Sequence, residues 1–370
     1  MMLTPAKINV DSKASPFLTF FLITSMQTGV GILGFARYIA QFAGYDAWIA
    51  IIFCGLSTNI TLWFIYKIIE RGSGNDIISI HSELFGNWLG GLLNAGVLAY
   101  FLVGPITTLR SYIEAIQIWV FPQISTWELA LLILLLAYVF IVGGFRTATG
   151  ICVLSVVYST LFFVILYYPL KYAHFNNLLP LFDHSLPSLF QASKQMVFSF
   201  GGFELIFIYY PFIKKPHLSK KWAHTALMFT TFFYVIVALV IFVFFSEGQL
   251  SHILWSTLTL WAIVKLPIIE RFEYFGLAVL LLVILANICI SIWSVTRGLK
   301  RQFFIRQKIF LPFVLIIVLI ITCLSKEHIP IDQWNSFVSK IIMYFLYIYI
   351  PVLFIYQWLF LKVKRMKKNK

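Results

Sequence analysis

Apolar residues fill long runs of the chain, and polar or basic residues gather in the short stretches between them. Most runs are long enough to cross the apolar core of a bilayer, which takes about 20 residues in a helix. We therefore predict an all-α polytopic membrane protein with ten transmembrane helices. The predicted spans are residues 16–40, 44–66, 88–120, 127–145, 149–170, 188–213, 222–245, 267–296, 309–325 and 338–361.

Two further segments are predicted to lie along a membrane surface. Residues 74–91 are amphipathic and precede the third span, and residues 251–264 are too short to cross and contain two tryptophans. Helices of this type bury one face at the boundary between headgroups and acyl chains. We expect the first on the cytoplasmic side and the second on the outside.

The composition excludes a soluble enzyme. Hydrophobic residues make up 61% of the chain and charged residues 11%, whereas soluble domains contain about 25% charged residues. Gly29, Gly31 and Gly34 match the spacing of a dinucleotide-binding turn, but that turn needs a preceding strand and these glycines lie inside an apolar span. The seven histidines are scattered and show no spacing typical of metal ligands. We predict no catalytic residue, no metal and no cofactor.

The basic residues predict the orientation. The net charge is +14, and most of the 28 lysines and arginines fall in connections on one side of the predicted membrane. Because such connections face the cytoplasm, both termini are predicted to be cytoplasmic. The charge then attracts anionic membrane lipid, and no nucleic acid partner is implied. The basic connections contain Lys7 and Lys13, Lys67 and Arg71, Arg146, residues 214–221, residues 297–308, and the tail from Lys362 to Lys370.

Glycines interrupt the first and sixth apolar runs at matching depths. Pro16 precedes Gly29 by nearly the same number of residues as Pro187 precedes Gly201. Five spans separate the two runs, so they would cross the membrane in opposite directions. Paired interruptions of this kind are typical of five-plus-five inverted-repeat transporters with broken helices 1 and 6, whose substrate site lies near the midplane. Close helix packing is the alternative explanation of the glycines. The two repeats would cover residues 16–170 and 188–361 of a single domain, residues 1–370.

The backbone at the first interruption is predicted to bind an anion. If the outer half-helix begins near Gly34, the N–H groups of Gly31, Ile32 and Leu33 face a cavity with the positive end of a helix dipole. Such an arrangement suits a carboxylate. The hydroxyls of Thr28 and Ser199 flank the two interruptions, where they would cap exposed backbone.

Polar side chains inside the spans complete the predicted ligand site. Glu204 is expected to contact a ligand ammonium or a cation, because charges at membrane depth are usually functional. Alternatively, its carboxylate stabilises the start of the inner half-helix. Asn287 and Ser291 lie one turn apart and would bind the ligand or hold neighbouring helices together. The predicted ligand-binding set is Thr28, Gly29, Gly31, Ile32, Gly34, Ser199, Gly201, Gly202, Glu204, Asn287 and Ser291.

Charged residues near the outer ends of spans one, three and eight have two interpretations. They form surface ion pairs, or they form a charged gate above the site. Glu270 and Glu273 share a face of span eight and would repel each other without a cation. In one version of the gate, Arg271 bridges the two glutamates. In the other version, Arg271 points elsewhere on the helix, and Arg37 or Arg110 supplies the compensating positive charge. The predicted gate comprises Arg37, Arg110, Glu114, Glu270, Arg271 and Glu273.

Three motifs carry a family resemblance: GVGILGFAR at residues 29–37, FGGFELIF at 200–207 and IIERFEYF at 268–275. With the basic TRGLKRQF after span eight, they resemble the spore germination permease family, the B subunits of GerA-type germinant receptors. That family belongs to the amino acid–polyamine–organocation superfamily. The resemblance implies the five-plus-five fold, A and C receptor subunits as partners, and residence in the spore inner membrane.

Three functions follow from the resemblance and the pattern together, and the third of them is a channel-like permeation path through the same cavity. The first is a nutrient-sensing receptor subunit that binds a small nutrient, in particular an amino acid, at the membrane midplane. The second is a secondary amino acid transporter coupled to protons or sodium. Both need the same pocket, and only turnover of the solute separates them.

Overall fold

The protein is a helical bundle. The computed structural model describes residues 8–72, 74–265, 267 and 269–368. Within these ranges every regular element is helical, and the strand-like pairing is limited to one isolated bridge between Ala14 and Ile213. Residues 1–7 and 369–370 lie outside the described residues. They include Lys7 and Lys370, whose charges contribute to the predicted orientation.

Sixteen α-helices follow one another along the described chain. They are α1 (Leu18–Gln27), α2 (Phe35–Ala43), α3 (Ala47–Arg71), α4 (Ile77–Trp119), α5 (Thr126–Val142), α6 (Phe145–Ile165), α7 (Tyr167–Leu170), α8 (Leu186–Phe200), α9 (Ile206–Tyr209), α10 (Ser219–Phe244), α11 (Glu247–His252), α12 (Ser256–Ala262), α13 (Phe272–Phe303), α14 (Gln307–His328), α15 (Ile331–Tyr344) and α16 (Ile350–Lys368). Tighter 3-10 segments occupy Val10–Ser12, Val30–Leu33, Gly44–Asp46, Phe175–Leu178, Phe203–Leu205, Tyr210–Phe212 and Pro216–Leu218, and a π-helical turn occupies Phe345–Tyr349.

Seven helical stretches of the described chain are long and apolar enough to cross a membrane. The protein is therefore an integral membrane protein. The number is smaller than the ten predicted spans because three predicted runs contain shorter helices, among them Leu18–Gln27, Thr126–Val142 and Phe203–Phe212. The seven stretches are Phe35–Arg71, Ile77–Trp119, Phe145–Leu170, Pro216–Phe244, Phe272–Phe303, Gln307–His328 and Ile331–Met366.

The two predicted surface segments are more deeply packed than the sequence suggests. Helix α4 turns sharply at Gly86, whose φ of 75° is not helical, so residues 77–85 form a short helix of their own. Its residues Ile77, Ile80 and His81 are fully buried. The outer segment forms two helices, α11 and α12, in place of one, and Leu258 of α12 is also fully buried. Both segments therefore cover the interior of the bundle.

The basic connections meet at one end of the bundle. Arg146 donates to the carbonyl of Asp11 at 3.0 Å, and Arg301 pairs with Asp76 at 3.2 Å. The amide of Lys214 donates to the carbonyl of Ala14 at 2.8 Å. These contacts join the N-terminal segment, the short helix 77–85 and the ends of two long helices. The grouping matches the charge pattern of the sequence.

Candidate small-molecule site

The first interruption separates α1 from α2. Helix α1 stops at Gln27, Gly29 is extended with φ −77° and ψ −152°, and a 3-10 segment precedes α2. The amide of Ile32 donates to the carbonyl of Gly29 at 3.3 Å, and the carbonyl of Ile32 accepts the Thr257 hydroxyl at 2.7 Å. The expectation of a free Ile32 amide is therefore wrong, because the 3-10 turn uses it. Thr28 bonds back to the carbonyl of Thr24 at 2.9 Å.

The second interruption separates α8 from α9. Gly201 is extended, and Gly202 has φ +98°, a conformation that side chains with a Cβ rarely adopt. A Cβ at Gly202 would also lie 2.8 Å from the Met26 side chain on α1. The side-chain Nε2 of Gln27 donates to the backbone carbonyl of Phe200 at 2.8 Å. The two interruptions therefore face each other and are tied together.

A cavity of about 80 Å³ lies between the two interruptions. We call it the inner cavity. Its walls come from both interrupted helices together with α4, α13 and α15. Such a concave space with a few convergent polar groups is typical of a small-molecule site. The predicted residues that line it are Gly29, Gly31, Ser199, Gly201, Gly202, Glu204, Asn287 and Ser291.

Glu204 supplies the charge of the inner cavity. Its carboxylate is buried and accepts two hydrogen bonds, from the Tyr100 hydroxyl at 2.5 Å and from the Gly202 amide at 2.8 Å. Among the described residues no basic side chain lies within ion-pair distance of it. The bond to Gly202 caps the following 3-10 turn, so the capping alternative is present. Glu204 also lines the inner cavity, so a ligand cation there would meet a carboxylate that has no ion pair among the described residues.

Asn287 and Ser291 occupy one face of α13 at the same cavity. The Asn287 amide nitrogen donates to the carbonyls of Ser25 at 2.9 Å and of Val283 at 3.0 Å. Asn287 therefore holds α13 against α1, as the interhelical alternative expects. Its amide oxygen lies 3.2 Å from where a Cβ would stand at Gly29. Both residues also line the inner cavity, so the interhelical bonds of Asn287 leave it at the wall of the predicted ligand site.

A larger space, the outer cavity, adjoins the inner one. Its volume is about 240 Å³, and it shares Val30, Gly31 and Phe198 with the inner cavity. Gly34 lines the outer cavity only, and Thr28 and Ile32 line neither. Val30, Gly31 and Phe198 therefore lie at the boundary that the two cavities share.

The predicted gate residues do not form one cluster. Arg271 is 58% exposed and pairs with Glu273 at 2.8 Å. This hydrogen bond raises the pKa of Arg271, so the guanidinium stays charged. The expectation that Arg271 points away from both glutamates is wrong, because it precedes the first turn of α13 and can fold back onto that helix. Glu270 is exposed and has no ion pair among the described residues.

Arg37 and Arg110 lie elsewhere at the same end. Arg37 donates to the carbonyl of Ser251 at 3.0 Å. Arg110 is buried, donates to the carbonyl of Ile329 and lies over the ring of Trp334, 5.1 Å from its centroid. Neither arginine pairs with Glu270 or Glu273. Glu114 follows Arg110 by one turn but makes no ion pair within 4.0 Å in the described chain.

Several site residues gave no sequence signal. Tyr100 and Thr107 lie in the middle of an apolar run of α4, where an aromatic or hydroxyl residue is ordinary. The Tyr38 hydroxyl on α2 donates to Asp332 on α15 at 2.5 Å and closes one side of the outer cavity. Thr257, which bonds to the carbonyl of Ile32, lies in the segment 251–264 that the sequence predicts to lie along the membrane surface. Among the described residues no group of three histidine, cysteine, aspartate or glutamate side chains could hold a metal ion.

Sequence comparison identifies the family. A sequence model described as spore germination protein matches residues 13–330. The spore germination protein GerQB of Bacillus cereus is 39% identical over 359 residues, covering 97% of this chain and 99% of GerQB. The chain belongs to the spore germination protein family. The resemblance carried by the three motifs is confirmed.

A more distant member of the spore germination family and two solved structures extend the comparison. Spore germination protein B2 of Bacillus subtilis strain 168 is 23% identical over 274 residues, covering 72% of this chain and 73% of B2. MhsT, solved in complex with L-phenylalanine, superposes with a TM-score of 0.65 over 94% of this chain and 99% of its own, at 13% identity. A Na⁺-coupled sialic acid symporter in a substrate-bound outward-open state gives 0.61 over 91% and 80%, at 10% identity. This family member therefore shares the fold of these two proteins.

Proposed function

We propose that this chain is the nutrient-sensing subunit of a spore germination receptor and that the inner cavity binds a compact nutrient, in the first instance an amino acid. Family membership supplies the germination context. The observation that carries the proposal is the inner cavity itself, which two interrupted helices enclose around the Glu204 carboxylate. Binding of the nutrient there would trigger germination.

The cavity suits a zwitterion. Glu204 offers a negative charge with neutral hydrogen-bond donors only, which favours a ligand ammonium group. The start of the Val30–Leu33 segment borders the same cavity with the positive end of its backbone dipoles, which favours a carboxylate. A volume of about 80 Å³ favours a small side chain or none.

The wider architecture belongs to the proposal. We count α1 with α2 and α8 with α9 as two interrupted spans, which together with α3, α4, α5, α6, α10, α13, α14 and α15–α16 gives ten. The interrupted pairs would open two inverted repeats. The basic end would face the cytoplasm of the spore inner membrane with both termini, and A and C receptor subunits would complete the complex.

A secondary transporter is the second candidate. The likeness in fold to MhsT and to the Na⁺-coupled symporter favours it. Both functions use the same cavity, so the difference lies in whether the nutrient crosses the membrane.

Two experiments test the proposal. Spores lacking the gene are exposed to each common amino acid in turn, with a strain complemented by the wild-type gene as control. Loss of the response to one or a few of them, restored by complementation, supports sensing, and an unchanged response to all refutes it. Uptake of the same labelled amino acid into proteoliposomes containing the full chain then separates transport from sensing.

A further inference from the structure

The π-helical turn Phe345–Tyr349 lies between the inner cavity and the basic end of the bundle. It joins α15 to α16. Turns of this type are rare, because they insert an extra residue into a helix, and they are frequent at functional sites. The turn stacks the rings of Phe345 and Tyr349 with centroids 4.9 Å apart.

On the cavity side the turn contacts the residue that holds Glu204. The ring of Tyr100 stacks on Phe345 with a centroid distance of 3.9 Å and an angle of 14° between the planes. The hydroxyl of the same tyrosine donates to Glu204 at 2.5 Å. Tyr100 therefore contacts both the Glu204 carboxylate and the π-helical turn.

On the other side the turn holds a buried histidine. The Tyr349 hydroxyl bonds to Nε2 of His81, which is fully buried in the short helix 77–85. Nδ1 of His81 lies 2.7 Å from the amide oxygen of Asn94, whose nitrogen donates to Gln302 at 2.6 Å. Because the asparagine nitrogen is engaged, its oxygen accepts the Nδ1 proton. Nε2 is then the acceptor of the tyrosine hydroxyl.

Ion pairs at and beside the short helix 77–85 connect it with α13 and α16. Asp76, just before it, pairs with Arg301 at 3.2 Å, and Glu83 within it pairs with Lys364 at 3.7 Å. His81 adds the buried attachment to the π-helical turn. Through Phe345, which stacks on Tyr100, this attachment links the short helix to a residue that lines the inner cavity.

We propose that the π-helical turn relays occupancy of the inner cavity to the short helix 77–85. The relay deepens the proposed function and rests on it. When a ligand cation binds the Glu204 carboxylate, the hydrogen bond from the Tyr100 hydroxyl is lost, and the π-helical turn converts to α-helical register. Removal of one residue from the register rotates the following residues by about 100°. Tyr349 then leaves His81, and the short helix loosens at the basic end.

Hydrogen exchange of residues 77–85 tests the relay in the purified full chain in detergent. Tyr349→Phe removes the hydroxyl and keeps the ring, and Tyr344→Phe, at an exposed position of the neighbouring turn, is the matched control. We expect exchange to be roughly fivefold faster in Tyr349→Phe, the ratio that corresponds to about 1 kcal/mol for a lost hydrogen bond. The control should leave the rate unchanged.

The second arm tests coupling to the cavity. Tyr100→Phe releases Glu204 while keeping the ring stacked on Phe345, and the relay requires faster exchange of residues 77–85 in this variant also. Acceleration in Tyr349→Phe alone would overturn the relay, since His81 would then be a local anchor. No acceleration in either variant overturns it equally. If both variants respond but no amino acid accelerates exchange or triggers germination, the relay stands and the proposed nutrient fails.

Discussion

Replacement of Glu204 by glutamine separates ligand binding from local support. The two carboxylate oxygens accept one donor each, the Tyr100 hydroxyl and the Gly202 amide. Glutamine has a single acceptor oxygen, so one donor loses its partner. The loss of one hydrogen bond to a charged group costs about 1.5–3 kcal/mol, and this cost falls on the stability of the protein. This loss of stability lowers the amount of protein in the membrane more than it changes the germination response to the nutrient.

Contact with a ligand ammonium adds a larger effect on the response itself. Removing one member of a buried ion pair costs about 3–5 kcal/mol. Since about 1.4 kcal/mol is a tenfold change in affinity, the effective nutrient concentration should rise by two orders of magnitude or more. The measurement is germination against nutrient concentration in spores with matched protein levels.

Tyr100→Phe is the matched control for this substitution. It removes the same hydroxyl contact but retains the carboxylate, and the ring can still stack on Phe345. We expect it to keep the response or to move it to lower nutrient concentration. Equal responses of Glu204→Gln and wild type at limiting nutrient, or equal losses in Glu204→Gln and Tyr100→Phe, would refute an ammonium contact.

Three further substitutions test other parts of the site. Gly31→Val should abolish the nutrient response at a normal protein level, because a Cβ there would lie 2.8 Å from a serine hydroxyl across the inner cavity; a full response would remove Gly31 from the site. Arg271→Ala should change the dose–response little, because its pair with Glu273 is largely exposed and such pairs contribute about 0–1 kcal/mol. Loss of germination, or germination without nutrient, in the Arg271→Ala variant would instead support the predicted charged gate. Thr257→Val leaves the carbonyl of Ile32 without its donor, which should lower the thermal unfolding midpoint of the purified chain by the equivalent of about 1–3 kcal/mol; an unchanged midpoint would contradict the capping role.

The interruptions of both helices were predictable because they depend on local chemistry. A glycine pair inside an apolar run weakens the helix wherever the run ends up in space. The positive φ of Gly202 and the extended Gly29 follow that expectation. Glu204 was predictable for a similar reason, since a carboxylate in an apolar run costs too much to be retained without a role.

The partners of these groups were not predictable from the chain alone. Tyr100 meets Glu204 across a separation of 104 residues, and Tyr38 meets Asp332 across 294. Either contact depends on the rotation of two helices about their own axes, which the sequence of one helix does not define. The predicted gate shows the same limit at Arg110, which lies over the ring of Trp334 on α15, whereas Arg271 pairs with Glu273 only two residues along the chain.

By itself the sequence determined that this protein is a helical membrane protein of the spore germination family, and that glycines break its helices in two places. Hydropathy and backbone freedom act within one segment, so they can be evaluated without knowing its neighbours. Only the tertiary structure decided that the two interruptions enclose one cavity, that Tyr100 shares the Glu204 carboxylate with Gly202, and that Thr257 caps the first interruption. Buried polar groups must find partners wherever helix packing brings them, and that packing is a property of the whole bundle.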